Sequence, residues 1–185
     1  MMDARGNNQE RARFALSYIV LVITKSTITK PEHSSLYHRY WSQVLTFNNL
    51  VLNKSLEFVP FVKDYGQLIE NLKLPERQNV EKVYWGHEYW EYLHNVSILC
   101  KTPQEISQFA DMIVNFGELL LCSECVDHYK HGDQPLRLAN IIMDTQDPAK
   151  AMFDFHNYIN TTKRLNKAPR MSWDRFCSLY QHTTT

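Results

Sequence analysis

The sequence predicts an all-α protein, and three observations carry this prediction. Five glycines in 185 residues are too few for a sheet protein with many tight turns, and no glycine-rich nucleotide-binding loop occurs. Apolar residues recur at helical stride through much of the chain. Cap-then-proline signals precede several of these segments. With 44% hydrophobic residues the chain can bury a sizeable core, so we expect one domain, or a core domain with an extension.

The first 80 residues contain no cysteine and predict two or three amphipathic helices, in "RARFALSYIVLVITK" and "PEHSSLYHRYWSQVLTFNNLVLNK". The apolar run from Phe14 to Ile23 is too short to span a bilayer. It lacks a following cleavage site of the A-x-A type, so a buried helix is favoured over a signal peptide. A polar, proline-containing break, "LKLPERQNVEK", places a boundary near Arg77. This divides the chain into an N-terminal helical subdomain at 1–80 and a second domain at 81–185.

The sequence pattern of the second domain predicts four helices and a short fifth. Residues 85–99 carry apolar positions at helical stride, and a second helix follows from Thr102 to about Leu121. Thr102, a proline and Glu105 form its start signal, with a hydroxyl cap and a carboxylate three residues later. One face of this helix is apolar, with Ile106, Phe109, Ala110, Ile113 and Phe116.

Two further start signals follow a cysteine-containing segment that continues almost without a break. Asp147 and Pro148 repeat the cap-then-proline pattern before "AKAMFDFHNYINTTKRLNK". Ser172 can cap a final helix through "WDRF". No internal repeat is visible.

Charge and cysteine content exclude several classes of function. Lys plus Arg equals Asp plus Glu, at 20 each, so the chain has no net field to attract a nucleic acid or an anionic membrane. Four cysteines at irregular spacing do not form the framework of a disulfide-rich domain.

The stretch "CSECVDHYKH", residues 122–131, permits three kinds of site. In a zinc site, one helix could not supply all four ligands, because the first and last Cα atoms would lie about 13.5 Å apart along its axis. His94 and His156 would then be the additional donors. A disulfide between Cys122 and Cys125 closes so short a loop that it adds little stability. A redox dithiol is the third possibility, because a CxxC thiolate can attack a disulfide or an electrophilic cofactor.

Two further motifs place aromatic, histidine and amide side chains at helical spacing. "WEYLH" puts Trp90 and His94 on one helix face, and "HNYIN" does the same for His156 and Asn160, with Asn157 beside them. Each pair alone is more often a packed aromatic with a core histidine than a ligand site. Their joint occurrence around a CxxC favours a cofactor site.

With these motifs in order, the chain resembles the flavin-linked sulfhydryl oxidases related to augmenter of liver regeneration. The resemblance covers about residues 83–181 and rests on "WGHEYWEYLH", "CSECVDHY", "HNYIN" and "LNK". The closing "MSWDRF" and the helical first half look most like the viral branch, the sulfhydryl oxidases of baculoviruses and related large DNA viruses. The resemblance implies an FAD-binding four-helix bundle with a short fifth helix, preceded by a helical extension or a degenerate bundle, and usually a homodimer.

The resemblance also implies roles for individual residues. Cys122 would exchange with substrate thiols, and Cys125, nearer the flavin ring, would pass electrons to FAD and on to dioxygen, giving hydrogen peroxide. The side chains that match cofactor-binding positions are Trp85, Trp90, His94, Cys125, His128, His156, Asn157 and Asn160, with Lys167 matching less closely. From their charge alone, Lys163, Arg164, Lys167 and Arg170 can bind the pyrophosphate, although a solvated basic helix end is the simpler interpretation of each.

The chain departs from the cellular members of the family in several places. His87 stands where those proteins carry a basic residue, and two residues are added between Asn160 and Leu165, so a phosphate contact and the match of Lys167 are in doubt. The first 80 residues hold no shuttle cysteines. Substrate thiols would reach Cys122 directly, or through Cys100 or Cys177 at longer range. For Cys100 and Cys177 the favoured interpretation is a small buried hydrophobic residue.

We therefore expect an FAD-dependent thiol oxidase that introduces disulfides into virion proteins, in the host cytoplasm or nucleus or in the virion. Its partners would be dithiol proteins and dioxygen, with no nucleic acid and no membrane span. The alternatives are a non-enzymatic interaction module with the Cys/His cluster as a zinc site, and a pseudo-oxidase that keeps FAD for structure only.

Overall fold

The computed structural model describes residues 7–16, 18–19, 42–44, 46, 82–120, 122–162 and 169–180. For residues 82–85 it describes the backbone only. Within these ranges the regular structure is helical and no strand occurs, which confirms the all-α prediction. Residues 7–16, 18 and 19 form the N-terminal helical segment. The helices that follow are α1 (Lys82–Leu99), α2 (Pro103–Phe116), α3 (Ser123–Lys130), α4 (Gln134–Thr145), α5 (Pro148–Thr162) and α6 (Trp173–Tyr180), with 3₁₀ turns at Gly117–Leu119 and His131–Asp133.

The residues that were predicted to cap helix starts form the expected hydrogen bonds. The Glu105 N–H donates to the Thr102 hydroxyl at 3.2 Å, and the Thr102 N–H donates to the Glu105 carboxylate at 2.8 Å, which completes a capping box. The Asp147 carboxylate accepts from the Lys150 N–H at 3.0 Å at the start of α5. The Ser172 hydroxyl accepts from the third N–H of α6 at 3.3 Å.

One helix end and the number of helices differ from the prediction, because the described part of the second domain has six helices where four and a short fifth were predicted. Helix α2 ends at Phe116 instead of near Leu121, because Gly117 begins a tighter 3₁₀ turn and Leu120 is extended, with φ −75° and ψ 129°. The cysteine segment therefore starts a helix of its own, α3. Gly132 and Asp133 adopt left-handed backbone angles, with φ of 61° and 57°, and separate α3 from α4.

The helices pack as a bundle in which α2 lies against α4, α1 against α5, and α4 against α5. The predicted apolar face of α2 is buried in this core. The largest fully buried side chains of the described ranges are Tyr92, Phe109, Phe176, Ile19, Leu99, Ile113, Leu119, Ile142 and Met152. A smaller second cluster joins α6 to α5 and the end of α1, through Ile98, Ala149, Phe153, Phe176 and Tyr180.

The N-terminal helical segment belongs to the same core as the bundle. Ala15, Leu16, Tyr18 and Ile19 are buried within the main cluster, so this part of the apolar run is a buried helix, as favoured from the sequence. The boundary predicted near Arg77 lies outside the described residues. None of the helices in the described part of the chain has the length and apolar character needed to cross a membrane.

Candidate active site

The CxxC lies at the beginning of α3, where Cys122 is the residue that caps the helix. The Cys125 N–H donates to the Cys122 sulfur at 3.3 Å. Both cysteines are half-buried, are not bonded to each other, and pack against the main core, as does Trp90. A negatively charged sulfur at Cys122 would gain from this hydrogen bond and from the partial positive charge at the helix N-terminus. The position therefore suits a nucleophilic thiolate.

Two contacts hold the turn that leads into the CxxC. The Tyr89 hydroxyl, from α1, donates to the Leu119 carbonyl at 2.5 Å. Leu119 stands three residues before Cys122 in the chain. Lys130, at the end of α3, forms an ion pair with Glu118 in the 3₁₀ turn. Because one contact comes from α1 and the other from the end of α3, the turn is fixed at both sides.

Tyr129 anchors α3 to α2. Its hydroxyl donates to the Ile113 carbonyl at 2.6 Å, and the side chain is buried. Its ring lies so close to Gly117 that a Cβ built on that glycine would be 2.5 Å from Tyr129 Cδ1. The absence of a side chain at residue 117 is thus what lets the CxxC helix approach α2 this closely.

The aromatic and histidine side chains predicted from the two motifs come together between α1 and α5. The Trp90 and His156 rings stack with centroids 3.8 Å apart and planes 6° apart. His94 Nε2 and His156 Nδ1 lie 2.8 Å apart and share a hydrogen bond. The i, i+4 spacing on α1 and the packing of α1 against α5 produce this cluster, as the motif spacing predicted for each pair.

Phe155 links this stack to the CxxC helix. Its ring centroid lies 6.2 Å from that of Trp90 and 5.9 Å from that of Tyr129, the second pair edge to face. Tyr129 follows Cys125 by one helical turn on α3. The thiol pair and the Trp90–His156 stack are thus connected through two buried aromatic rings, with all members on one core.

His94 is the most electrostatically constrained residue of the site. It is 2% exposed. Burial, followed by the neighbouring His156, lowers the pKa of His94 well below its ordinary value, so the ring is neutral near neutral pH. Its Nε2 shares the bond to His156, whereas Nδ1 is buried with no hydrogen-bond partner among the described residues. A buried polar atom without a partner needs an explanation, and a hydrogen bond to a bound ligand would provide one.

Sequence reasoning missed a network of three residues, of which Tyr180 contacts His94. Tyr180 on α6 lies with its ring centroid 5.2 Å from that of His94 and donates its hydroxyl hydrogen to Glu91 at 2.8 Å. Arg11, from the N-terminal helical segment, donates to the same carboxylate at 2.7 Å. These partners are 89 and 80 positions from Glu91 in the sequence, and no local pattern relates residues so far apart.

The other predicted cofactor residues have other partners, are described only by their burial, or lie outside the described residues. Asn157 exchanges two hydrogen bonds of 3.0 Å with the backbone of Met171, so its amide fixes the approach to α6. His128 on α3 and Asn160 on α5 are half-buried. Trp85 lies in α1 with its side chain outside the described set. Lys163, Arg164 and Lys167 lie outside the described residues, and Arg170 is exposed.

The side-chain chemistry of the cluster fits an aromatic, hydrogen-bonding cofactor such as FAD. Half-buried thiols, a stacked indole and a buried imidazole nitrogen with no partner among the described residues are groups that can contact such a ring system. The stack itself is closed, because a ring between Trp90 and His156 would need a separation of about 7 Å, twice a contact distance. A groove of about 590 Å³ lies elsewhere, and none of the predicted cofactor residues lines it; its lining is Glu10, Arg11, Phe14, His87, Glu88 and Glu91.

Zinc and the two remaining cysteines were the other open points at this site. Within the described ranges, no group of three or more His, Cys, Asp or Glu side chains is arranged to hold a metal ion. Cys100 is buried at the end of α1, and its thiol donates to the Val96 carbonyl at 3.2 Å. Cys177 is half-buried against the second cluster. Cys100 is thus the small buried residue that was predicted, and Cys177 is only partly so.

Comparisons of the chain with family models, with curated proteins and with solved structures found no match. The function is therefore argued from the motifs and from the geometry described above.

Proposed function

We propose that the protein is an FAD-dependent thiol oxidase that converts protein dithiols to disulfides through Cys122 and Cys125. The observation that carries the proposal is the joint placement of a half-buried CxxC at a helix N-terminus and the Trp90–His94–His156 cluster on one core. Each part is common alone. Together they supply a thiol nucleophile and an aromatic, hydrogen-bonding cluster that are linked through Tyr129 and Phe155.

The thiol chemistry follows from the position of the pair. A substrate thiolate attacks the sulfur of Cys122 in the oxidised pair, the Cys122–Cys125 bond breaks, and Cys125 leaves as a thiolate. The second substrate thiolate then attacks the substrate sulfur of the mixed disulfide and releases Cys122. The substrate leaves with one disulfide, and the CxxC holds the two electrons as a dithiol.

The chemistry supplied by a bound FAD would be acceptance of this electron pair and its transfer to dioxygen, so that two thiols and O₂ would give one disulfide and H₂O₂. Trp90, His94, His156 and Cys125 would hold the cofactor. Neutral His94 shares one N–H with His156 at a defined place, and His94 Nδ1 offers one further donor or acceptor to the ligand.

The resemblance to viral sulfhydryl oxidases extends the proposal to its setting. The protein would act on virion proteins in the host cytoplasm or nucleus, or in the virion, where host reductants keep thiols reduced and an oxidase is needed to form disulfides. A homodimer is part of the same proposal.

The decisive experiment is a visible absorption spectrum of the purified protein together with a peroxide assay using dithiothreitol. A yellow protein with flavin bands that forms peroxide is the expected result. Elemental analysis on the same sample tests the alternative, since bound zinc without flavin supports only the interaction module. A colourless protein that forms no peroxide would be inconsistent with the proposal.

Cysteine variants test the roles within the pair. Cys122→Ser and Cys125→Ser are each expected to abolish turnover, because thiol–disulfide exchange needs both sulfurs. Cys177→Ser is the matched control, a half-buried cysteine outside the cluster, and is expected to retain turnover. Bound flavin with no turnover in the wild-type protein would instead indicate a pseudo-oxidase. Unchanged turnover in Cys125→Ser would mean that another centre carries the reaction.

A further inference from the structure

His94 keeps its position through rings that come from two other helices. Besides His156 on α5, the rings of Phe176 and Tyr180 on α6 lie with centroids 5.0 and 5.2 Å from that of His94. Because His94 is almost fully buried, the hydrogen bond between its imidazole and His156 depends on where these rings hold the imidazole. The wall formed by α6 is therefore part of the geometry of the histidine pair.

Tyr180 is in turn held by Glu91. Its hydroxyl donates to Glu91 Oε1 at 2.8 Å, and Glu91 lies on α1, three residues before His94. Burial, and then the charge of Glu91, raises the pKa of Tyr180, so the hydroxyl stays protonated and remains a donor. A hydrogen bond from a hydroxyl to a carboxylate is stronger than one between neutral groups. Glu91 therefore holds the Tyr180 side chain in position.

Arg11 closes the network from the N-terminal helical segment. One guanidinium nitrogen donates to Glu91 Oε2 at 2.7 Å, the other donates to the Leu179 carbonyl at 2.7 Å, and the guanidinium carbon lies 4.8 Å from the Tyr180 ring centroid. The planar guanidinium thus binds α1 and α6 at once through two separate nitrogens. A lysine has one ammonium nitrogen and could not present two donors in this fixed geometry. Without Arg11, the mostly buried carboxylate of Glu91 would lose a cation that lies 2.7 Å from it.

We propose that Tyr180 is a positioning residue for the His94–His156 pair, and that Arg11 and Glu91 make the N-terminal helical segment part of the candidate site. The contacts run without interruption from Arg11 to Glu91, to Tyr180, to His94 and to His156. The consequence for turnover rests on the proposed function, because only a bound cofactor makes the alignment of the histidines matter for rate. The alignment itself does not depend on it.

Tyr180→Phe is the sharpest test, since it removes one hydroxyl and keeps the ring. Its matched control is Tyr158→Phe on α5, which removes an exposed hydroxyl that accepts from Gln134 at 3.1 Å instead of donating to Glu91. We expect Tyr180→Phe to shift the ring ¹⁵N signals of His94 and His156 in the purified protein, and Tyr158→Phe to leave them unchanged. In the peroxide assay, turnover should fall by about 10- to 100-fold, the range for misplaced catalytic groups, with the KM for dithiothreitol unchanged.

Arg11→Gln provides a second, independent perturbation, with the exposed Arg137→Gln on α4 as its control. The same histidine signals should shift in Arg11→Gln and not in Arg137→Gln. Wild-type histidine signals in both Tyr180→Phe and Arg11→Gln would overturn the proposal, and so would wild-type turnover in Tyr180→Phe. If the wild-type protein forms no peroxide, the proposed oxidase function is wrong, and the histidine signals alone still decide whether Tyr180 positions the pair.

Discussion

Gly117 offers the most direct test of how the CxxC helix is held. An ideal Cβ at this position would lie 2.5 Å from Cδ1, 3.0 Å from Cε1 and 3.4 Å from Cγ of Tyr129. Those atoms belong to a buried ring whose hydroxyl is bound to the Ile113 carbonyl, so the ring cannot swing away freely. Gly117→Ala should therefore push Tyr129, and with it α3 and the two cysteines, away from α2.

The magnitude follows from three contributions. Overpacking a well-packed core costs about 1–3 kcal/mol. Displacing the ring far enough to break the buried hydroxyl bond adds about 1–3 kcal/mol. The right-handed backbone at Gly117, with φ −56° and ψ −28°, accepts alanine and offsets about 0.5–1 kcal/mol. We expect a net loss of about 0–2.5 kcal/mol if the ring bond survives and about 1–5.5 kcal/mol if it breaks, and each kcal/mol lowers the Tm of a chain of this size by about 2–4 °C.

The assay is urea unfolding followed by circular dichroism, with Gly86→Ala as the matched control. Gly86 lies in α1 and has no atom within 4 Å of a built Cβ, so the same substitution there should be neutral or should stabilise by up to about 1 kcal/mol. In a Tyr129→Ala background the penalty at Gly117 should disappear, because the clashing ring is gone. Equal stability of the two glycine variants, or the same penalty without the Tyr129 ring, would refute the reasoning.

Two further predictions follow from buried titratable groups. Burial and then His156 lower the pKa of His94, so in acid the unfolded chain binds a proton that the folded state does not. Stability should fall as the pH drops below the ordinary value of 6.5, by at most about 1.4 kcal/mol per pH unit from this group. The urea midpoint should depend less on pH in His94→Gln than in the exposed control His131→Gln, and equal pH dependence would contradict this. Burial raises the pKa of the Cys100 thiol, so iodoacetamide at pH 8 should label Cys122 in the reduced folded protein and Cys100 only after unfolding in urea. Equal labelling of the two in the folded protein, read by mass spectrometry, would count against the described burial.

Local patterns predicted the elements whose causes are local. The capping box at Thr102 and Glu105 and the caps at Asp147 and Ser172 involve side chains three residues from the groups that they bind, so the sequence shows them directly. The stacking of Trp90 on His94 within α1 follows from the i, i+4 spacing in the same way. The predicted end of α2 was wrong, because the 3₁₀ turn that begins at Gly117 is held by Tyr89 from α1 and by Lys130 from α3, contacts that no local pattern shows.

The same distinction holds for the candidate site. The sequence by itself determined the all-α class and the helix starts at Thr102, Asp147 and Ser172. It also led to the prediction of one set of site residues, Cys122, Cys125, Trp90, His94 and His156. Only the tertiary structure decided that His94 and His156 share a hydrogen bond, that Asn157 serves the backbone of Met171, and that Arg11 and Tyr180 meet at Glu91. The physical reason is that helix geometry relates residues within about two turns, whereas contacts between distant segments depend on how whole faces pack.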